Sequence, residues 1–139
     1  MTVYKIEILP KTVLVDEQGR IQGYEKMDIA TYFFKKKSWT VKKNAMELLV
    51  HEQLHFDIAE LFARKMRKEF YKLKKNKVDT FNAYQSVYTT LWKSCRMYQK
   101  QYDKETKHSR ELVHNEEWAE KIYKELKLLE EYSYTNFGK

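Results

Sequence analysis

The chain has 139 residues, of which 27 are Lys or Arg and 20 are Asp or Glu, giving a formal charge of +7. That length suits one domain, 1–139, with a modest single core, and 11 Tyr, 7 Phe and 3 Trp supply large side chains for it. No apolar run is long enough to span a bilayer. A lone cysteine, Cys95, excludes an internal disulfide and a cysteine-rich zinc site, and reads as a small buried apolar residue.

The first residues, Met1 to Lys5, lack a basic segment followed by an apolar stretch. The compartment expected is therefore secreted or periplasmic if a signal was removed, and cytoplasmic otherwise. Val3 to Leu9 is rich in β-branched and aromatic types with partial alternation, which predicts a strand closed by Pro10. Thr12 to Val15 predicts a second strand before the turn signal Asp16-Glu17-Gln18-Gly19, and Ile21 to Tyr24 extends a hairpin. Asp28 to Phe34 is a further strand, and Lys35 to Ser38 a polar loop before Trp39-Thr40-Val41. Residues 1–41 are thus expected to form a small, mainly antiparallel sheet.

A helical period runs from about residue 42 to about residue 75. Asn76 to Asp79 break it, and Asp79 or Thr80 can cap a second helix. That helix carries Phe81, Tyr84, Val87, Tyr88, Leu91, Cys95, Tyr98 and Tyr102 at three-to-four spacing, a stripe that reads as core. Lys104 to His114 is polar and irregular. Asn115 can cap a last helix through Trp118, Ile122, Leu126 and Leu129, and residues 132–139 read as a tail. Strands first and helices after, with the helical part over 42–131, give an α+β fold.

The long first helix carries His51-Glu52-Gln53-Leu54-His55, an H-E-x-x-H motif. Residues four apart share a helix face, so His51 and His55 can offer imidazole nitrogens to one metal ion, while Glu52 projects about 100° away. That suits a general base acting on a metal-bound water. The alternative is two ordinary histidines on a buried helix. Flanking Leu48, Leu49, Val50, Phe56, Ile58, Leu61 and Phe62 make the helix apolar nearly all round, and buried histidines need partners.

A catalytic zinc site needs a third protein ligand. The candidates are His108, His114, Asp103, Glu105 and Glu111; position 61, six residues past His55, is Leu. If the two long helices form an antiparallel hairpin turning near residue 78, residues 51–55 lie opposite roughly 101–105. That register favours Asp103. His108 can reach the site if the second helix ends near Lys104 and the chain curls back.

His51 to Leu61, followed by Ala63-Arg64-Lys65, resembles the metal-binding helix of a bacterial family of predicted secreted zinc-dependent proteases, catalogued as domain of unknown function 922. Ser38-Trp39 is similar to that family's pre-helix segment, and Tyr102 to Ser109, with Trp118 and Ile122, to its second block. The resemblance covers roughly residues 26–129. It implies a zincin-like metallopeptidase in which His51, His55 and His108 bind Zn2+ and Glu52 is the catalytic base. Ser109 stands where a Gly is common.

Tyr102 or Tyr98 could donate a hydrogen bond to an oxyanion, or could be structural tyrosines in the helix interface. Asp57 is expected to pair with Arg64. The basic run from Arg64 to Lys77 reads as a solvated face rather than a polyanion-binding one, since acidic neighbours interleave and no nucleic-acid motif is present. An exposed edge strand beside the histidines would hold an extended peptide. The expected function is a zinc-dependent peptidase acting on a peptide or protein. The alternatives are an inactive zinc-binding interaction module on the same scaffold and a basic nucleic-acid-binding protein.

Overall fold

The computed structural model describes residues 4–33, 45–106 and 112–134, with side chains over 4–32, 51–106 and 115–134. Two strands, β1 (Tyr4–Leu9) and β2 (Asp28–Phe33), pair antiparallel with Ile6 opposite Thr31 and Ile8 opposite Ile29. Three helices follow: α1 (Ala45–Lys75), α2 (Phe81–Thr106) and α3 (Leu112–Leu128). The α+β order expected from the sequence is the order found.

Alternation decides the sheet. Ile6, Ile8, Ile29 and Thr31 share one face, as period two requires, and Thr31 reaches α1 by donating its hydroxyl to Glu60 Oε1 at 2.9 Å. Lys5 and Glu7 pair with each other at 3.4 Å.

The sheet is smaller than expected. Thr12 to Val15 forms no strand; only an isolated Val15–Ile21 bridge remains of that hairpin. The reason is burial: Val13 packs against the core, but Leu14 is 69% and Val15 44% exposed, so the segment covers too little apolar surface to hold a strand. The turn itself stands. The Asp16 carboxylate accepts from the backbone N–H of Gln18 and of Arg20, each at 2.9 Å, and Gly19 supplies the left-handed residue at φ 78°. Ile21 leaves extended geometry at Gly23, and Tyr24–Lys26 turns as a short 3-10 helix. Backbone groups of this loop pair with the α1–α2 turn instead, Ile21 N–H to the Asp79 carbonyl at 2.6 Å and Phe81 N–H to the Gly19 carbonyl at 2.9 Å. Trp39-Thr40-Val41 and the expected first helical residues, 42–44, lie outside the described residues.

Helix α1 spans 31 residues, roughly 45 Å at 1.5 Å per residue, and ends at Lys75 as the periodicity predicts. Its end is a Schellman motif: Val78 N–H bonds the Leu73 carbonyl at 2.9 Å and Lys77 N–H the Lys74 carbonyl at 2.9 Å. Lys77 occupies the left-handed position at φ 57°. This turn reverses the chain and lays α2 antiparallel along α1, so it sets which α2 residues face His51 and His55.

The third helix begins at Leu112, three residues before the expected cap. Asn115 is therefore inside the helix, and its side chain is buried and turned toward α2. The chain beyond α3 is not a free tail where it is described. Glu130–Tyr132 forms a 3-10 turn, and the Tyr132 carbonyl accepts from Arg67 Nη1 at 2.9 Å.

The basic run is only partly a solvated face. Arg67 is fully buried, donating from Nε to the Ile29 carbonyl at 2.9 Å and from Nη1 to Glu60 at 3.1 Å. Arg64 donates to Glu60 at 2.9 Å and to the Leu126 carbonyl at 2.6 Å. Its expected partner, Asp57, lies two turns away and takes Gln53 instead at 3.0 Å; the four-residue spacing favours Glu60. One carboxylate thus ties β2, α1, α3 and the segment after it. No helix among the described residues is long and apolar enough to cross a membrane.

Because Lys77 holds a left-handed conformation that costs an L-residue roughly 1–2 kcal/mol, Lys77→Gly should raise stability by roughly 0.5–1 kcal/mol net of unfolded-chain entropy. The urea midpoint should rise at unchanged slope, whereas Lys77→Val should lower it.

Candidate metal centre

His51 and His55 sit one turn apart on the α1 face that packs against α2. Their rings meet edge to face with centroids 4.7 Å apart, and their Nε2 atoms are 3.2 Å apart. Asp103 on α2 comes to both, its Oδ1 lying 2.9 Å from His51 Nε2 and 2.7 Å from His55 Nε2. The three donor atoms fall within 4.8 Å of one another. The hairpin register thus delivers the aspartate that it favoured.

Each imidazole is held from behind. The Gln99 amide donates from Nε2 to the His55 backbone carbonyl at 2.8 Å, which leaves Oε1 to accept from His55 Nδ1–H. Tyr102 donates its hydroxyl proton to Asn115 Oδ1 at 2.9 Å, so its oxygen accepts from His51 Nδ1–H at 2.8 Å. The Tyr102 ring also stacks on His51, with centroids 4.8 Å apart and planes 22° from parallel. Both Nε2 atoms turn toward the Asp103 carboxylate, and on a neutral ring a proton held at Nδ1 leaves Nε2 a lone pair.

Burial pushes the Asp103 carboxyl up, but the hydrogen bonds and charges of His55 and His51 together outweigh it, and the group ends below the usual carboxylate range. Burial, with the Asp103 and Asp57 charges, raises Tyr102, which stays a hydroxyl. The side chains of His51 and His55 are 8% and 12% exposed and that of Asp103 is 34% exposed, so the cluster meets solvent on its Asp103 side.

Imidazoles that carry a proton on Nε2 hydrogen-bond to Asp103 across these distances; without those protons the three atoms are electron-pair donors that a cation between them would hold together. Two imidazole nitrogens and one carboxylate oxygen make a donor set that suits zinc. Divalent ions that prefer all-oxygen sites fit it poorly.

The remaining residues singled out in the sequence fall as follows. Glu52 follows His51 and is buried. Tyr98 donates to Glu125 at 2.8 Å, a structural contact away from the histidines. Glu105 accepts from Trp118 Nε1 at 3.1 Å and from Gln101 at 2.6 Å. An oxyanion role for Tyr102 would require its proton to leave Asn115. His108, Glu111 and the His114 side chain lie outside the described residues. Cys95 is buried, its thiol pushed up to about 11 by burial. The Tyr4 hydroxyl, at the start of β1, interacts with Cys95 and Gln99 and is itself raised by burial, so the sheet meets the site through Gln99.

Two participants escaped the sequence reading. Gln99 interrupts the apolar stripe of α2 between Cys95 and Tyr102, and a lone amide there was the visible signal. Asn115 reads in the sequence as a cap because Asn is a common cap residue.

A family model described as bacterial protein of unknown function (DUF922) matches residues 35–109, more than half of the chain. The chain belongs to the DUF922 family. No curated protein and no solved structure matches it. The DUF922 match contains His51, Glu52, His55, Gln99, Tyr102 and Asp103, and ends before Asn115.

If the cluster binds zinc, the metal should stabilise the fold by mass action, about 2.7 kcal/mol at a hundredfold excess over Kd. Zinc added to chelator-stripped protein should raise the melting temperature by several degrees. His51→Ala and His55→Ala should abolish the rise; an equal rise in both variants would place binding elsewhere.

Proposed function

We propose that this chain is a zinc-dependent peptidase, with zinc held by His51, His55 and Asp103 and with Glu52 as general base. The observation that carries the metal is the convergence of two Nε2 atoms and a carboxylate oxygen, each imidazole fixed by a separate partner. What supports hydrolysis is the motif: a glutamate one residue past the first ligand, buried beside it, suits proton transfer. Bound zinc would supply Lewis acidity, polarising a carbonyl and bringing the pKa of a water toward about 7. The protein's own residues do the rest. Asp103 and the two histidines fix the position of the charge, Glu52 accepts a proton and returns it to the leaving amine, and burial of the histidines keeps the dielectric low. A peptide or protein substrate is what the resemblance to secreted zinc proteases implies.

The resemblance gave the third place to His108, and the geometry supports Asp103. Chelator competition separates them. Asp103→Ala should weaken zinc by more than the about 10–100-fold seen when an outer partner is lost, and His108→Ala by less. The opposite ranking returns the third place to His108.

Glu52→Gln should keep zinc and the fold, and should lower kcat on any peptide the wild type cleaves by at least about a hundredfold, within the range of general-base effects. Wild-type cleavage that survives Glu52→Gln would remove Glu52 from the mechanism. Zinc binding without cleavage of any peptide in a broad library would leave a zinc-binding interaction module. Burial of Arg67 and the internal pairing of Arg64 subtract from the basic face, and we propose no specific nucleic-acid partner.

A further inference from the structure

We infer that Gln99 and the Tyr102–Asn115 pair are positioning residues that lock His55 and His51 in the Nδ1–H tautomer, making α3 part of the centre. The inference rests on the metal reading only for its consequence, zinc affinity; the tautomers can be tested without metal.

A neutral imidazole carries one proton, and the hydrogen bond made by one ring nitrogen decides what the other can do. At His55 the decision is made by a single amide. Gln99 Nε2 can only donate, and the acceptor in front of it is the His55 carbonyl at 2.8 Å. Its oxygen then faces Nδ1 and requires a proton there. The amide cannot flip without setting NH2 against a ring N–H and oxygen against a carbonyl oxygen. Histidine and lock are thus anchored to each other twice, once through the ring and once through the backbone of the same residue.

At His51 the lock is a relay. The Tyr102 hydroxyl has one proton and gives it to Asn115 at 2.9 Å, so it can only accept from His51. Tyr102 is fully buried and Asn115 is 7% exposed, so water competes poorly for either bond. Asn115 acts through Tyr102 rather than on the ring. Its position on the inner face of α3 means that docking of α3 sets the direction of the tyrosine proton, and through it the lone pair of a residue on α1. By reciprocity, zinc at the centre favours the docked α3.

The alternative tautomer on either ring would point an N–H into the donor cluster and remove a ligand. Outer partners of metal-bound histidines contribute about 10–100-fold in affinity, which sets the expected scale.

The experiment is nitrogen-15 NMR of the histidine rings in zinc-free protein carrying Asp103→Ala, which removes the carboxylate that competes for a proton on Nε2, at a pH where both rings are neutral, with zinc affinity measured in parallel with Asp103 in place. In that background both rings should show a protonated Nδ1 and a bare Nε2. Tyr102→Phe keeps the stacked ring and removes only the hydroxyl; it should give His51 a mixed tautomer signal and weaken zinc about 10–100-fold. Asn115→Leu should do the same to a smaller degree, and Asn115→Asp, which keeps an acceptor for the tyrosine proton, should restore both readouts. Gln99→Met should mix the His55 tautomers alone, and Gln99→Glu, which keeps the acceptor, should not. A protonated Nε2 in the Asp103→Ala background overturns the inference. So does Tyr102→Phe with an unchanged His51 signal, because a merely structural role would lower the melting temperature and leave the tautomer alone. The expected tautomers in a protein that binds no zinc would support the lock and sink the zinc reading, so the two failures are distinguishable.

Discussion

Two imidazoles buried one turn apart on the same helix face impose the condition that shapes this molecule. Each has a donor and an acceptor to satisfy, and the interior offers no bulk water to do it. The neighbouring helix supplies the answer at three positions, 99, 102 and 103, which lie within about one turn of α2. This is possible only because α2 returns antiparallel in one register. The left-handed Lys77 and the two reversing hydrogen bonds at the end of α1 fix that register. A slip of one residue in α2 would rotate its side chains by about 100° and turn Gln99 and Asp103 away together.

A second buried polar system stands farther along α1. Glu60 accepts from Thr31, Arg64 and Arg67, while the two arginines reach carbonyls of β2, of α3 and of the turn after α3. Buried ion pairs contribute little net stability against apolar replacements, and their removal from one side is costly. Their value here is directional. Backbone carbonyls at Ile29, Leu126 and Tyr132 are held at defined points on α1, so α3 cannot slide along it. That restraint brings Asn115 to Tyr102 at the other end of α3. The two polar systems are linked through the rigidity of one helix.

Much of this was legible in the residues, and the rest failed for identifiable reasons. The long helices announced themselves by period, and the α1–α2 break by its polar run. The histidine pair followed from i, i+4 spacing, and the hairpin register alone pointed to Asp103. Thr12 to Val15 misled because β-branched composition says that a strand is affordable and does not say that a neighbour exists to cover it. Arg64 and Arg67 misled because a charge run says nothing about which members are turned inward; that depends on Glu60 and on carbonyls distant in sequence. Gln99 left only a break in the apolar stripe and Asn115 the look of a cap, since an amide carries no charge or metal preference and its role appears only once a ring nitrogen or its partner faces it. His108 was reached by resemblance, a different kind of argument from the register that reached Asp103.

The Arg67 guanidinium also has a consequence for dissection of the chain. Its partners come from three places: Glu60 within α1, Ile29 before the matched family segment and Tyr132 after it. A fragment cut to residues 35–109 would keep the paired histidines, Gln99 and Asp103. It would also keep a buried cation stripped of two carbonyl acceptors, an Arg64 without the Leu126 carbonyl, and a Tyr102 hydroxyl without Asn115. The stretch that marks kinship is thus shorter than the network of contacts that surrounds the histidines and Arg67. That network extends outward on both sides of it, from the sheet to the turn that closes over Arg67.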